Sequence, residues 1–128
     1  MPRLLHCLAR RSVWRVAFWV QFGVVTALML WPRPPAALDL TGWDKLNHVL
    51  AFAGPALAGL LARSRHGMTT ATMLLLALLG WGGVLELLQT ALPPRQGDWA
   101  DLLADAIGLA IGGLCYLALR RRLRPSSA

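Results

Sequence analysis

Acids are scarce in this chain. Six aspartates and glutamates stand against thirteen lysines and arginines, and there are only two cysteines among 128 residues. Cys7 and Cys115 show no CxxC spacing, so no disulfide framework, redox motif or thiolate metal site is assigned. No glycine-rich phosphate loop and no dinucleotide fingerprint occurs, which removes the common nucleotide-dependent chemistries. Long polar stretches are missing too. The chain is 56% apolar with a mean hydropathy of +0.51, which places it in a bilayer rather than among soluble folds. A net charge of +7 would also suit nucleic acid. The basic residues, however, gather at the ends of apolar segments and form no helix face suited to a groove, so a nucleic-acid partner is not expected.

What is present is four apolar runs within a single domain covering residues 1–128, at about 13–31, 46–62, 71–92 and 102–119. At about 1.5 Å per residue the first spans roughly 28 Å, the thickness of a hydrocarbon core. Trp14 and Trp31 stand at its two ends, where amphipathic rings anchor at headgroups. The rival reading is a cleaved signal peptide with Pro35-Ala36-Ala37 as the small-residue site, and Arg10-Arg11 hints at a twin-arginine signal. The run is long for a signal core and closes in Pro32-Arg33-Pro34-Pro35, so a retained span is expected. The second run follows Thr41-Gly42-Trp43-Asp44, with Asp44 as the expected N-cap, and Gly54, Pro55 and Gly59 interrupt it. Pro125-Ser126-Ser127-Ala128 reads as a frayed tail.

Charge placement orients the spans. Arg3, Arg10, Arg11, Arg15, Arg63, Arg65, Arg120, Arg121, Arg122 and Arg124 fall on one side, and Arg33, Lys45 and Arg95 on the other. The positive-inside bias then puts both termini in the cytoplasm. The fold expected is an all-α integral membrane bundle of four transmembrane helices. Every acid lands on the outer side: Asp39, Asp44, Asp98 and Asp101 in loops, Glu86 and Asp105 in outer helix ends. No serine or cysteine falls in that half, so a Ser-His-Asp hydrolase has no nucleophile there, and Thr41 and Thr90 have no obvious base.

Ionisable groups inside a span need a partner and mark a functional site by default. Asp44 and His48 are four apart and Glu86 and Gln89 three apart, so each pair shares a helix face, with Gly82 one turn before Glu86. Asp101, Asp105, Gly108 and Gly112 form one stripe of acids running into small residues, and the Gly108-xxx-Gly112 part is a close-packing surface. If the third span ends at Pro93, Glu86 lies about 10 Å below that end. Its expected partner is Arg95, folded back by Pro93-Pro94, with His48 as second neighbour. One histidine with carboxylates can hold a hard or borderline cation, but no HxxxH or ExxH pair is present, and neither metal nor cofactor is assigned.

Asp44-Lys45-x-x-His48, then Glu86-x-x-Gln89, then Arg95 with Asp101 six residues on and a glycine-bearing last helix, resembles the VanZ-like family. The resemblance covers roughly residues 43–113; the first span fits the family's layout without carrying a motif. It implies a small polytopic protein of the bacterial cytoplasmic membrane, from a family named for teicoplanin, a glycopeptide, resistance. It carries over no catalytic role. The chain departs from the family's pattern at Asp105, where asparagine is usual. The extra negative charge beside Asp101 bears on whether the site takes the same group as typical members.

The preferred expectation is a pocket that recognises, or modifies, an anionic envelope lipid or lipid-linked precursor. Lys45 and Arg95 would hold the charged head, with Asp44, Gln89 and Asp105 as further binding residues. His48, Glu86 and Asp101 would orient it or exchange protons. Two alternatives stay open: a structural assembly module whose ion pairs only hold the bundle, and a proton- or ion-coupled transport component. The lack of an internal repeat speaks against a self-sufficient transporter. The sequence sets no oligomeric state.

Topology is the first prediction. Reporter fusions at Gly67 and Ala128 should read cytoplasmic, and fusions at Ala37 and Gly97 exterior. An exterior Gly67 would overturn the four-span reading.

Overall fold

A computed structural model describes residues 10–33, 42–63 and 68–122. The expectations for Arg3, Pro34-Pro35, Asp39, Thr41, Arg65 and the tail beyond Arg122 lie outside the described residues. Among the described residues the structure is all-helical, with four helices: α1 (Arg11–Leu30), α2 (Asp44–Ala62), α3 (Met68–Thr90) and α4 (Trp99–Arg122). All four are long and apolar enough to cross a membrane.

The helix ends differ from the hydropathy boundaries for identifiable reasons. At the starts of α2 and α4 the backbone is helical before the apolar run begins, so Asp44 and Asp101 are in first turns rather than loops. Trp43, not Asp44, is the N-cap of α2, its carbonyl accepting from the Leu46 and Asn47 N–H groups. Asp44, the first helical residue, instead sits at the positive end of the helix dipole. At the other extreme α3 stops before the apolar run does. Ahead of Pro93-Pro94, Ala91 and Leu92 donate to Leu88 and Gln89 in tightened turns. Glu86 therefore lies four residues, about 6 Å, from the helix end rather than the expected 10 Å.

Contacts between glycines and the residues facing them show the helix directions. Gly54 meets Gln21 and Gly59 meets Phe18, so α1 and α2 run antiparallel. Gly108 meets Val49 and Gly112 meets Ala53, so α2 and α4 run parallel, and theirs is the most extensive contact in the bundle. Trp81 donates to Thr26, and Gln89 to the Met29 carbonyl, which aligns α3 with α1. The start of α2, the end of α3, the start of α4 and the end of α1 consequently meet at one end. That end holds Glu86 and every described aspartate. Arg10, Arg11, Arg15, Arg63, Arg120, Arg121 and Arg122 lie at the opposite end.

The core is built from Met29, Phe52, Ala56, Leu78, Leu85 and Leu109. Outward, Val16, Trp19, Val20, Val24, Leu76, Leu87, Leu103 and Leu114 are exposed on all the faces the bundle does not bury. An apolar surface of that extent is stable against lipid and not against water. Exposed Trp31, Trp43 and Trp99 ring the acidic end, as aromatic side chains do at headgroup depth.

α2 and α4 approach so closely because Gly108 and Gly112 carry no side chain. A Cβ at Gly108 would overlap the Val49 backbone carbonyl, and one at Gly112 would lie 2.5 Å from the Ala53 carbonyl oxygen. Backbone cannot swing aside as a side chain can, so the helices would have to part. Gly108→Ala should therefore cost about 1–3 kcal/mol in overpacking. Gly80→Ala, where nothing lies within 4 Å of the added carbon, should be neutral or gain about 0.5–1 kcal/mol. Thermal unfolding in detergent separates the two; equal losses would refute close approach as the reason for Gly108.

Candidate functional site

His48 is the centre of the acidic end. It sits one turn into α2, 3% exposed, where α3 and α4 converge. Its Nδ1 lies 2.8 Å from Oδ1 of Asp105 and 4.0 Å from Oε1 of Glu86, and its Nε2 lies 4.0 Å from Oδ2 of Asp101. With Asp105 ionised, the Nδ1–H donates to it and orients the ring, which turns Nε2 toward Asp101. Asp44 also approaches, since His48, Asp101 and Asp44 offer ligand atoms within 4.8 Å of one another. The structure thus gathers Asp44, His48, Glu86, Asp101 and Asp105, from three helices, around one imidazole.

Glycine makes the room. Asp105 is fully buried, and its Oδ2 would lie 2.6 Å from a Cβ at Gly82, so only glycine at that point of α3 admits the carboxylate. Gly82, one turn before Glu86, makes room both for the Asp105 carboxylate and for the Phe52 ring of α2, which a Cβ would meet at 3.1 Å. Gly97 does the same for the α3–α4 loop, where a Cβ would meet the Glu86 backbone oxygen at 2.5 Å. The loop folds back far enough for the Asp98 N–H to donate to Oε2 of Glu86 at 2.9 Å. That leaves Oε1 of Glu86 and Oδ2 of Asp105 buried without a hydrogen-bond partner.

Lys45 closes the top. Its ammonium donates to Asp98 and to Asp101, each at 2.8 Å, tying α2 to the loop and to α4. Asp98 also caps α4, its Oδ1 accepting the Ala100 N–H at 2.9 Å. The Lys45 ammonium first, and the Ala100 N–H second, hold the Asp98 carboxyl below the usual carboxylate range. A folded-state pKa depressed in this way adds stability above the ordinary aspartate range. That stability is lost as pH falls through the lowered value. Asp98 is half-exposed, so solvent screens most of the effect. Sequence reasoning left Asp98 out of the site; its position just before α4 is the N-cap signal that would have drawn attention to it.

The expected Glu86–Arg95 pair does not form. Arg95 turns away from α3 and donates from Nε to the Trp31 carbonyl at 3.2 Å and from Nη2 to the Leu28 carbonyl at 3.3 Å. Gln89 likewise leaves the cluster and donates to the Met29 carbonyl at 2.9 Å. The physical cause lies in α1, whose last carbonyls run past the helix's own i+4 donors and which has no basic residue in its last turn. A guanidinium there satisfies them and meets the negative end of the helix dipole. Of the eight site residues named from sequence, six are brought together, and Gln89 and Arg95 seal the neighbouring helix instead.

Double-mutant cycles on stability in detergent should show this division. Lys45→Met with Asp101→Asn should couple by more than about 0.5 kcal/mol, as contacting pairs do. Glu86→Gln with Arg95→Gln should add to within about 0.5 kcal/mol. Strong coupling in the second cycle would restore the Glu86–Arg95 pair.

Compared with protein-family models, with curated proteins and with solved structures, the chain gives no match, so the VanZ-like resemblance rests on the sequence motifs alone.

Proposed function

We propose that the chain is a VanZ-like, multi-pass protein of the bacterial cytoplasmic membrane with both termini inside. Its acidic end then faces outward and recognises the headgroup of an anionic envelope lipid or lipid-linked precursor. The observation that carries this reading is the buried, carboxylate-oriented His48, one turn inside the end that the exposed Trp31, Trp43 and Trp99 ring. A polar constellation at that depth adjoins lipid headgroups and little else.

The geometry narrows how an anion would be held. Arg95 is committed to α1, which leaves Lys45 as the cation bonded to the acidic cluster. Lys45 has one buried carboxylate partner, Asp101, and one half-exposed partner, Asp98. An incoming phosphate exchanges with Asp98 and leaves the Lys45–Asp101 contact in place. His48 lies one turn below, where it can exchange a proton with the bound group. The structural alternative also has an observation in its favour, since Lys45 ties two helices and a loop together.

Binding to vesicles separates the two. Lys45→Gln should lose the preference for phosphatidylglycerol over phosphatidylcholine, and Asp98→Asn, which removes the competing carboxylate, should strengthen it several-fold. Glu86→Gln and His48→Asn should reach normal membrane levels yet lose any envelope phenotype. Normal binding by all four variants, or failure to accumulate, would leave the network structural.

A further inference from the structure

The innermost part of the cluster holds two unpartnered carboxylate oxygens that an anion held by Lys45 does not account for. His48 of α2, Glu86 of α3 and Asp105 of α4, all buried, each offer a ligand atom, and the three atoms lie within 4.8 Å of one another. Two carboxylates and a neutral imidazole carry a formal charge of −2. The nearby ammonium is spent on Asp98 and Asp101. Oε1 of Glu86 has no hydrogen-bond partner and is aimed at His48 Nδ1 from 4.0 Å, too far for a hydrogen bond. Oδ2 of Asp105 is likewise unpartnered. Buried oxygens of this kind are costly unless a further group meets them.

We infer that His48, Glu86 and Asp105 bind one divalent cation of the zinc or manganese class. Bonds of about 2.1 Å in a tetrahedral site put ligand atoms about 3.4 Å apart. The observed 2.8 Å from Nδ1 to Asp105 and 4.0 Å from Nδ1 to Glu86 straddle that spacing, so small side-chain rotations complete the set. The ion replaces the proton shared between His48 and Asp105 and neutralises both carboxylates. An imidazole nitrogen among oxygens favours a borderline transition cation over magnesium or calcium. Three protein ligands leave a fourth position open. The site is drawn from three helices at separations of 38 and 19 residues, which is why no short motif announces it.

This inference goes beyond the headgroup reading and does not depend on it, because the ion is measured without lipid. The full chain, purified in detergent and treated with chelator, is titrated with Zn²⁺, Mn²⁺ and Co²⁺. The wild type should retain one ion per chain after desalting and unfold at higher temperature with it. Glu86→Gln and Asp105→Asn should each weaken binding at least tenfold. Asp44→Asn, in the outer acidic group, should keep it. The Co²⁺ form should show one nitrogen among oxygens, a readout that stands even if a variant fails to fold. No ion at unit stoichiometry, a bound ion without an imidazole nitrogen, or loss of the ion in Asp44→Asn would each overturn the assignment. So would undiminished binding in both inner variants, which places the ion elsewhere.

Discussion

The buried centre of the acidic end is organised by the need to partner a fully buried aspartate. Asp105 sits where α2, α3 and α4 meet, and its bond to His48 is the central contact. A carboxylate at depth in an apolar assembly costs about 2.5–3.5 kcal/mol even on insertion scales. The chain meets that cost by shaping its helices around the group. Gly82 clears space for one carboxylate oxygen, and Gly108 lets α4 come near enough for the other to reach the imidazole. Small residues in this protein are as much part of the polar site as its charged ones.

A second consequence is a division of labour among side chains that look alike in sequence. Gln89 and Arg95 satisfy the terminal carbonyls of α1, a structural duty imposed by a helix that ends without its own basic residue. Lys45, Asp98 and Asp101 form the cover, linking α2, a loop and α4. What remains beneath is His48 with Glu86 and Asp105, less fully hydrogen-bonded than its surroundings. Polar groups that a fold leaves short of partners in a poor solvent are the natural place to seek a ligand.

The parallel pairing of α2 with α4 makes this arrangement possible. Both helices begin at the acidic end, so two positive dipole ends stand beside the carboxylates of Asp44 and Asp101. α1 and α3 end there and would present negative dipole ends to the same region. Arg95 and the Asp98 loop lie over those ends, and the exposed tryptophans surround them.

Length and hydropathy by themselves determined that four segments are helical and apolar enough to span a membrane, and that the acids gather at one end of them. Helical spacing also determined that Asp101, Asp105, Gly108 and Gly112 share a face, because that periodicity is local to one helix. Local spacing carries no record of which helix lies opposite. Only the tertiary structure decided that Arg95 serves α1 rather than Glu86, that Lys45 binds Asp98 and Asp101, and that Asp105 reaches His48 past Gly82. Those choices depend on which carbonyls and carboxylates are left unsatisfied once the helices have packed, and that is a property of the assembled bundle.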